Sequence, residues 1–156
     1  MYKRQLAEQR WSEAEALYRE LEGSNAENPT VLLGLITVLT AQGQAAEAQF
    51  RARNFPASRE YARVEALRPL IDAMVKLAQN KLPDDLDLDP MFRNSIRLAA
   101  RGNHPAALDG LLDLLRQDKR YRGDLARQVF VGLLDLYPVD SPLARQYRAE
   151  LASVLF

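Results

Sequence analysis

The sequence predicts an all-α fold, an array of antiparallel helix pairs (an α–α superhelix) with an inserted helix and a capping helix pair at the carboxyl end. Three observations predict it. Apolar residues recur at spacings of three and four, as in Leu32, Leu35, Ile36 and Leu39, and again in Leu108, Leu111, Leu112 and Leu115; that is the period of one helix face. A frame of turn, small residue and amphipathic run recurs at 9–14, 43–48 and 102–107, with Ala14 and Ala48 34 residues apart and Ala107 a further 59 along. Gly and Pro stand between these runs, and strand signals are nearly absent.

Helices are expected over residues 1–9, 12–22, 29–41, 45–54, 57–79, 89–101, 105–117, 123–137 and 142–155. The first copy of the frame puts Trp11 at a turn between two helices, where its ring packs rather than binds. Pro29, Pro105 and Pro142 each fit a first helical turn, behind a polar residue able to cap. Gly43 and Gly102 mark the tight turns within helix pairs, where a left-handed residue is useful. The chain is then one helical domain over 1–156. Residues 1–55 hold a first and second repeat, 56–88 an inserted helix and acidic connector, 89–120 a third repeat, and 121–156 the terminal helix pair. The first repeat is truncated, since its opening helix would begin before Met1; this implies a chain cut from something longer.

Composition narrows the function. Forty-seven per cent hydrophobic residues in a 156-residue chain suffice for one well-buried core. Lys plus Arg and Asp plus Glu both number 21, evenly spread, so the chain lacks the basic footprint of a nucleic-acid or anionic-membrane binder. Cysteine is absent, which removes disulfides, thiolate catalysis and cysteine-ligated zinc and suits a reducing cytoplasm. The longest apolar run, 31–39, contains Gly34 and Thr37 and is too short to span a bilayer. The opening residues lead into charged helix rather than a signal-peptide core.

A 34-residue helix-pair period resembles the tetratricopeptide repeat. In that frame Ala48 and Ala52 make the close helix contact of the second repeat, and Ala107, Leu111 and Leu114 the corresponding contact of the third. The resemblance implies a binding groove lined by first-helix positions, here Thr30, Leu33, Thr37, Thr40 and Ala41, then Asp89, Phe92, Ile96, Ala99 and Ala100. Leu33, Thr37, Thr40, Phe92 and Ile96 are its principal candidates. The basic clamp that holds acidic tails is absent, so the groove reads as small and apolar. It suits unfolded apolar segments or is covered by neighbouring helices.

The carboxyl-terminal third narrows the resemblance. Arg127, Phe130, Leu133, Leu134, Asp140, Leu143, Tyr147-Arg148, Leu151 and Leu155-Phe156 resemble the ending of the bacterial chaperedoxins, thioredoxin-like proteins with a tetratricopeptide-repeat domain behind the thioredoxin fold. The departure is plain: this chain has no thioredoxin domain and no Cys-x-x-Cys, so no redox activity is carried over. The resemblance implies a non-catalytic holdase in the cytoplasm, without cofactor, that binds unfolded client proteins and passes them to the chaperonin. It also implies docking on the chaperonin through Tyr147, Arg148, Leu151, Leu155 and Phe156. The alternative is a structural dimerisation or scaffold module, a homo-oligomer with no chaperone role.

Each remaining motif has a plainer reading beside it. Apolar residues along 143–151 read first as a cap closing the last repeat. Phe156, beside a charged terminus, reads as an exposed aromatic anchor of the helix-in-groove kind. The acidic stretch 85–89 resembles a calcium-loop opening, but Pro90 stands where Gly is needed and Ile96 where Glu is, so a solvated connector is expected. His104, the one histidine, reads as a surface turn residue, with no cluster for a metal site or triad. Arg116, Lys119, Arg120 and Arg122 form a basic cluster around Tyr121, placed to favour a helix carboxyl terminus.

Overall fold

The computed structural model describes residues 2–24 and 26–156, those of 2–9 by their backbone alone. Met1, where the first helix was expected to begin, lies outside the described residues. Eight helices follow in order: α1 (Tyr2–Ser24), α2 (Pro29–Ala41), α3 (Ala45–Arg53), α4 (Tyr61–Ala78), α5 (Asp89–Ala100), α6 (His104–Gln117), α7 (Tyr121–Leu134) and α8 (Pro142–Leu155). The all-α helical array is observed, with no strand among the described residues.

Local chemistry sets the helix ends. Asn28 Oδ1 accepts the N–H groups of Thr30 and Val31, at 2.9 and 3.4 Å, and so caps α2 behind Pro29. Ser141 caps α8 in the same way through Ala144 N–H at 3.4 Å. The start of α6 has no side-chain cap. At the far ends of α2 and α5 the backbone closes identically. Gly43 N–H bonds Thr40 C=O at 3.0 Å and Gln44 N–H bonds Leu39 C=O at 2.9 Å. Gly102 and Asn103 repeat those bonds to Ala99 and Leu98 at the same distances. Both glycines are left-handed, at φ 79° and 81°, as this paired closure requires.

Three boundaries differ from expectation. The break foreseen between residues 9 and 12 does not exist: α1 runs through it, because Trp11 and Ser12 continue a helix that nothing interrupts. The fourth helix begins at Tyr61 rather than 57, since Tyr61 N–H bonds back to Ser58 C=O in a turn. The seventh opens on three left-handed residues, Arg122, Gly123 and Asp124, and ends at Leu134.

Packing mostly follows chain order, and the largest departure from it joins α4 to α7. α1 lies on α2, α2 on α3, α3 on α4, and α5 on α6, while α7 packs between α4 and α6. α8 closes the array against α6 and, more lightly, α7. Small residues permit the close approaches: Tyr18 lies where a Gly34 side chain would stand. One contiguous core runs from Leu35, Ile36 and Leu39 through Leu67, Leu70 and Met74 to Phe130 and Leu133. Each such side chain contributes roughly 1.5–3 kcal/mol of burial.

Candidate protein-interaction site

The terminal helix divides into an anchored base and a free tip. Tyr147 is buried, its ring edge-on to Phe130 at 6.3 Å between centroids, and its hydroxyl donates to Asp109 Oδ1 at 2.8 Å. Burial and the Asp109 carboxylate push that hydroxyl's pKa above its ordinary value. Arg148 reaches Val139 C=O at 3.4 Å, and Leu151 is half-buried against the core. Beyond it Leu155 is half-buried, and Phe156 is fully exposed, at 101%. Of the five residues expected to face a partner, Tyr147 is therefore committed to holding α8 on α6.

The expected groove is closed. Leu33, Thr40, Phe92 and Ile96 are all buried, and Thr37 is half-buried with its hydroxyl donating to Leu33 C=O at 2.8 Å. Thr40 bonds Ile36 C=O, and Phe92 packs on the Tyr121 ring at 5.4 Å. The physical reason is the placement of α4 and α7, whose apolar faces join these positions in one core.

His104 is not a surface residue. It is 1% exposed, Nε2 donates to Ala41 C=O at 2.9 Å, and Nδ1 accepts from the Tyr137 hydroxyl at 2.5 Å. These partners fix the neutral Nε2–H tautomer, and burial lowers the pKa. Trp11 packs edge-on to Tyr137, at 5.8 Å, and beside His104, at 6.3 Å. Burial raises the Tyr137 hydroxyl to about 12.

The acidic connector is likewise not wholly solvated. Asp89 is 1% exposed and receives Arg122 through both carboxylate oxygens, at 2.9 and 2.7 Å. Tyr121 O–H and the N–H groups of Asp85 and Leu86 complete its shell. The Arg122 hydrogen bonds hold Asp89 well below the usual carboxylate range. The basic cluster consequently does not converge: Arg122 turns to Asp89 and Asp85, Arg116 pairs with Asp113, and Lys119 reaches Leu155 C=O at 3.4 Å.

Among the described residues no buried side-chain nitrogen or oxygen lacks a partner, and Phe50, Val139 and Phe156 stand out as exposed large apolar side chains. The tetratricopeptide-repeat pattern matches residues 64–156. The chain belongs to the tetratricopeptide-repeat family. No curated protein and no solved structure matches it. Tetratricopeptide repeats mediate protein–protein contacts and are typically non-catalytic. In this tetratricopeptide-repeat protein the match starts inside α4, so it takes in the helix that the repeat spacing set apart as inserted. No helix among the described residues is long and apolar enough to cross a membrane.

Sequence reasoning missed the partners Asp109, Tyr137 and Arg122. Their spacings to Tyr147, His104 and Asp89 carry no periodic signal. The one available sign was chemical: a lone His beside a helix-pair turn, and an Asp at a helix start.

Proposed function

We propose that this chain is the tetratricopeptide-repeat part of a thioredoxin-like accessory chaperone of the cytoplasm, a non-catalytic holdase that docks on the chaperonin through the last turn of α8. The supporting observation is the split within that helix. Tyr147 is tied to Asp109 while Phe156, nine residues on, leaves its whole ring in solvent. An exposed aromatic at the end of a helix that is anchored at its base suits an apolar pocket on a partner. The docking set is accordingly Leu155 and Phe156, flanked by Arg148 and Leu151. Client segments, on this reading, meet exposed apolar surface such as Phe50, beside a cleft of about 400 Å³ lined by Leu32 and Pro56. Hydrogen exchange tests the docking: adding chaperonin should slow amides of residues 152–156. Protection confined to other helices overturns the reading.

A further inference from the structure

α1 is held differently from the other seven helices. None of its described side chains is buried, whereas every other helix buries at least two. Trp11, Ala14 and Tyr18 lie half-buried against the core, and the rest of its docking uses matched charge. Arg19 Nη1 and Nη2 reach the Glu47 carboxylate of α3 at 3.1 and 2.7 Å, and Arg51 of α3 grips Glu22 through both nitrogens. Glu15 accepts from Gln42 and Gln44 at the α2–α3 turn, at 2.9 and 3.2 Å. Two aromatic contacts complete the fit, Tyr18 over Gly34 and Trp11 against Tyr137.

Beside the passage from α1 to α2 the chain is exposed. Gly23 and Ser24 in the last turn of α1, and Ala26, Glu27 and Asn28 ahead of α2, are exposed, and nothing lies within 4 Å of the space a Gly23 side chain would take. A helix with only half-buried and exposed described side chains, beside a short exposed stretch, opens more readily than the buried helices and can re-dock.

We propose that the α2–α3 face is a receptor for one amphipathic helix, filled within the chain by α1 and, at raised concentration, by α1 of a second copy. The charge pattern selects that occupant: an acid, a base and an acid at 15, 19 and 22 meet Gln42, Glu47 and Arg51. The second copy's α1 supplies every one of these contacts without new chemistry, so exchange yields a symmetric dimer. Salt screens the ion pairs and speeds exchange. This inference is independent of the docking assigned to α8.

The absence of cysteine permits a clean test. Arg19→Cys and Glu47→Cys chains, each checked for helical signal, are mixed at high concentration in high salt, returned to low salt and treated with a short bismaleimide. The expected product is a covalent pair of the two variants, at least about tenfold more abundant than from Arg19→Cys mixed with Arg116→Cys. A chain carrying both Arg19→Cys and Glu47→Cys should cross-link internally when dilute, which confirms the geometry. Internal cross-linking with no mixed pair overturns the proposal. So does a dimer that cross-links equally through Arg116→Cys, which places self-association elsewhere. Cross-linking to a cysteine-bearing peptide of residues 10–24 but not between chains also overturns it, since the face would then admit free α1 while α1 in the intact chain does not exchange.

Discussion

His104 Nε2 donates to the main-chain carbonyl of Ala41 at 2.9 Å, so the first residue of α6 caps the last turn of α2 across 63 positions of sequence. That carbonyl is one of the four a helix leaves unpaired at its end. His104→Ala strands both it and the Tyr137 hydroxyl and opens a cavity, at a cost of about 2–4 kcal/mol by urea unfolding. Tyr137→Phe removes only the second bond and should cost about 1 kcal/mol.

The same residue sets a pH dependence. Burial holds folded His104 below its ordinary 6.5, so the unfolded chain takes up a proton that the folded one refuses. Stability is complete above pH 6.5 and falls as pH drops from there toward the folded value, by at most about 1.4 kcal/mol per pH unit. His104 is the one histidine, so His104→Gln should flatten the fall in stability just below pH 6.5. Asp89 acts lower: its contribution is present above its ordinary 3.8 and is lost as pH falls through that value toward the depressed one.

Asp89 and Asp124 should respond oppositely to replacement. Asp89→Asn removes the charge from a buried carboxylate that half-exposed Arg122 and three further donors converge on, and should lower the urea midpoint. Asp124 holds a left-handed φ of 72° and makes only an exposed 3.5 Å pair with Arg127. Asp124→Gly should stabilise by about 0.5–1 kcal/mol, by relieving the backbone.

Gly43 and Gly123 separate strain from contact. Both have positive φ, 79° and 64°, but a side-chain carbon at Gly43 would sit 2.0 Å from Ala100 C=O, while Gly123 faces open space. Gly123→Ala should cost about 1 kcal/mol. Gly43→Ala adds a backbone clash between α5 and the α2–α3 turn, and should cost about 3 kcal/mol or more in thermal unfolding.

The helices were legible because each carries its own periodicity, and Gly43 and Gly102 were legible because a left-handed turn demands a particular residue. His104 and Asp89 were misread for a common reason. Whether a polar side chain at a helix start meets water or a neighbour depends on where distant helices pack, and that is written in no local spacing. Trp11 shows the converse: its packing was foreseen, but the turn assigned to it was not formed, because a repeat frame alone cannot break a helix without Gly or Pro. The groove positions failed where α4 and α7 joined them in one core. The terminal helix was half legible: its stripe, Tyr147 included, implied a cap, but the Asp109 partner that commits Tyr147 to it left no sign in the spacing.

That last point decides the most direct measurement. Shortening the chain at Gln146 would remove the Tyr147–Asp109 bond and confuse lost docking with lost folding. Surface plasmon resonance should instead compare the intact chain with Phe156→Ala on immobilised chaperonin, since Phe156 makes no contact whose loss could unfold the scaffold at 101% exposure. The account predicts binding by the intact chain and a loss of at least about tenfold in affinity for the variant, both keeping full helical signal. Equal binding by the two, or a folded intact chain that does not bind, would contradict it.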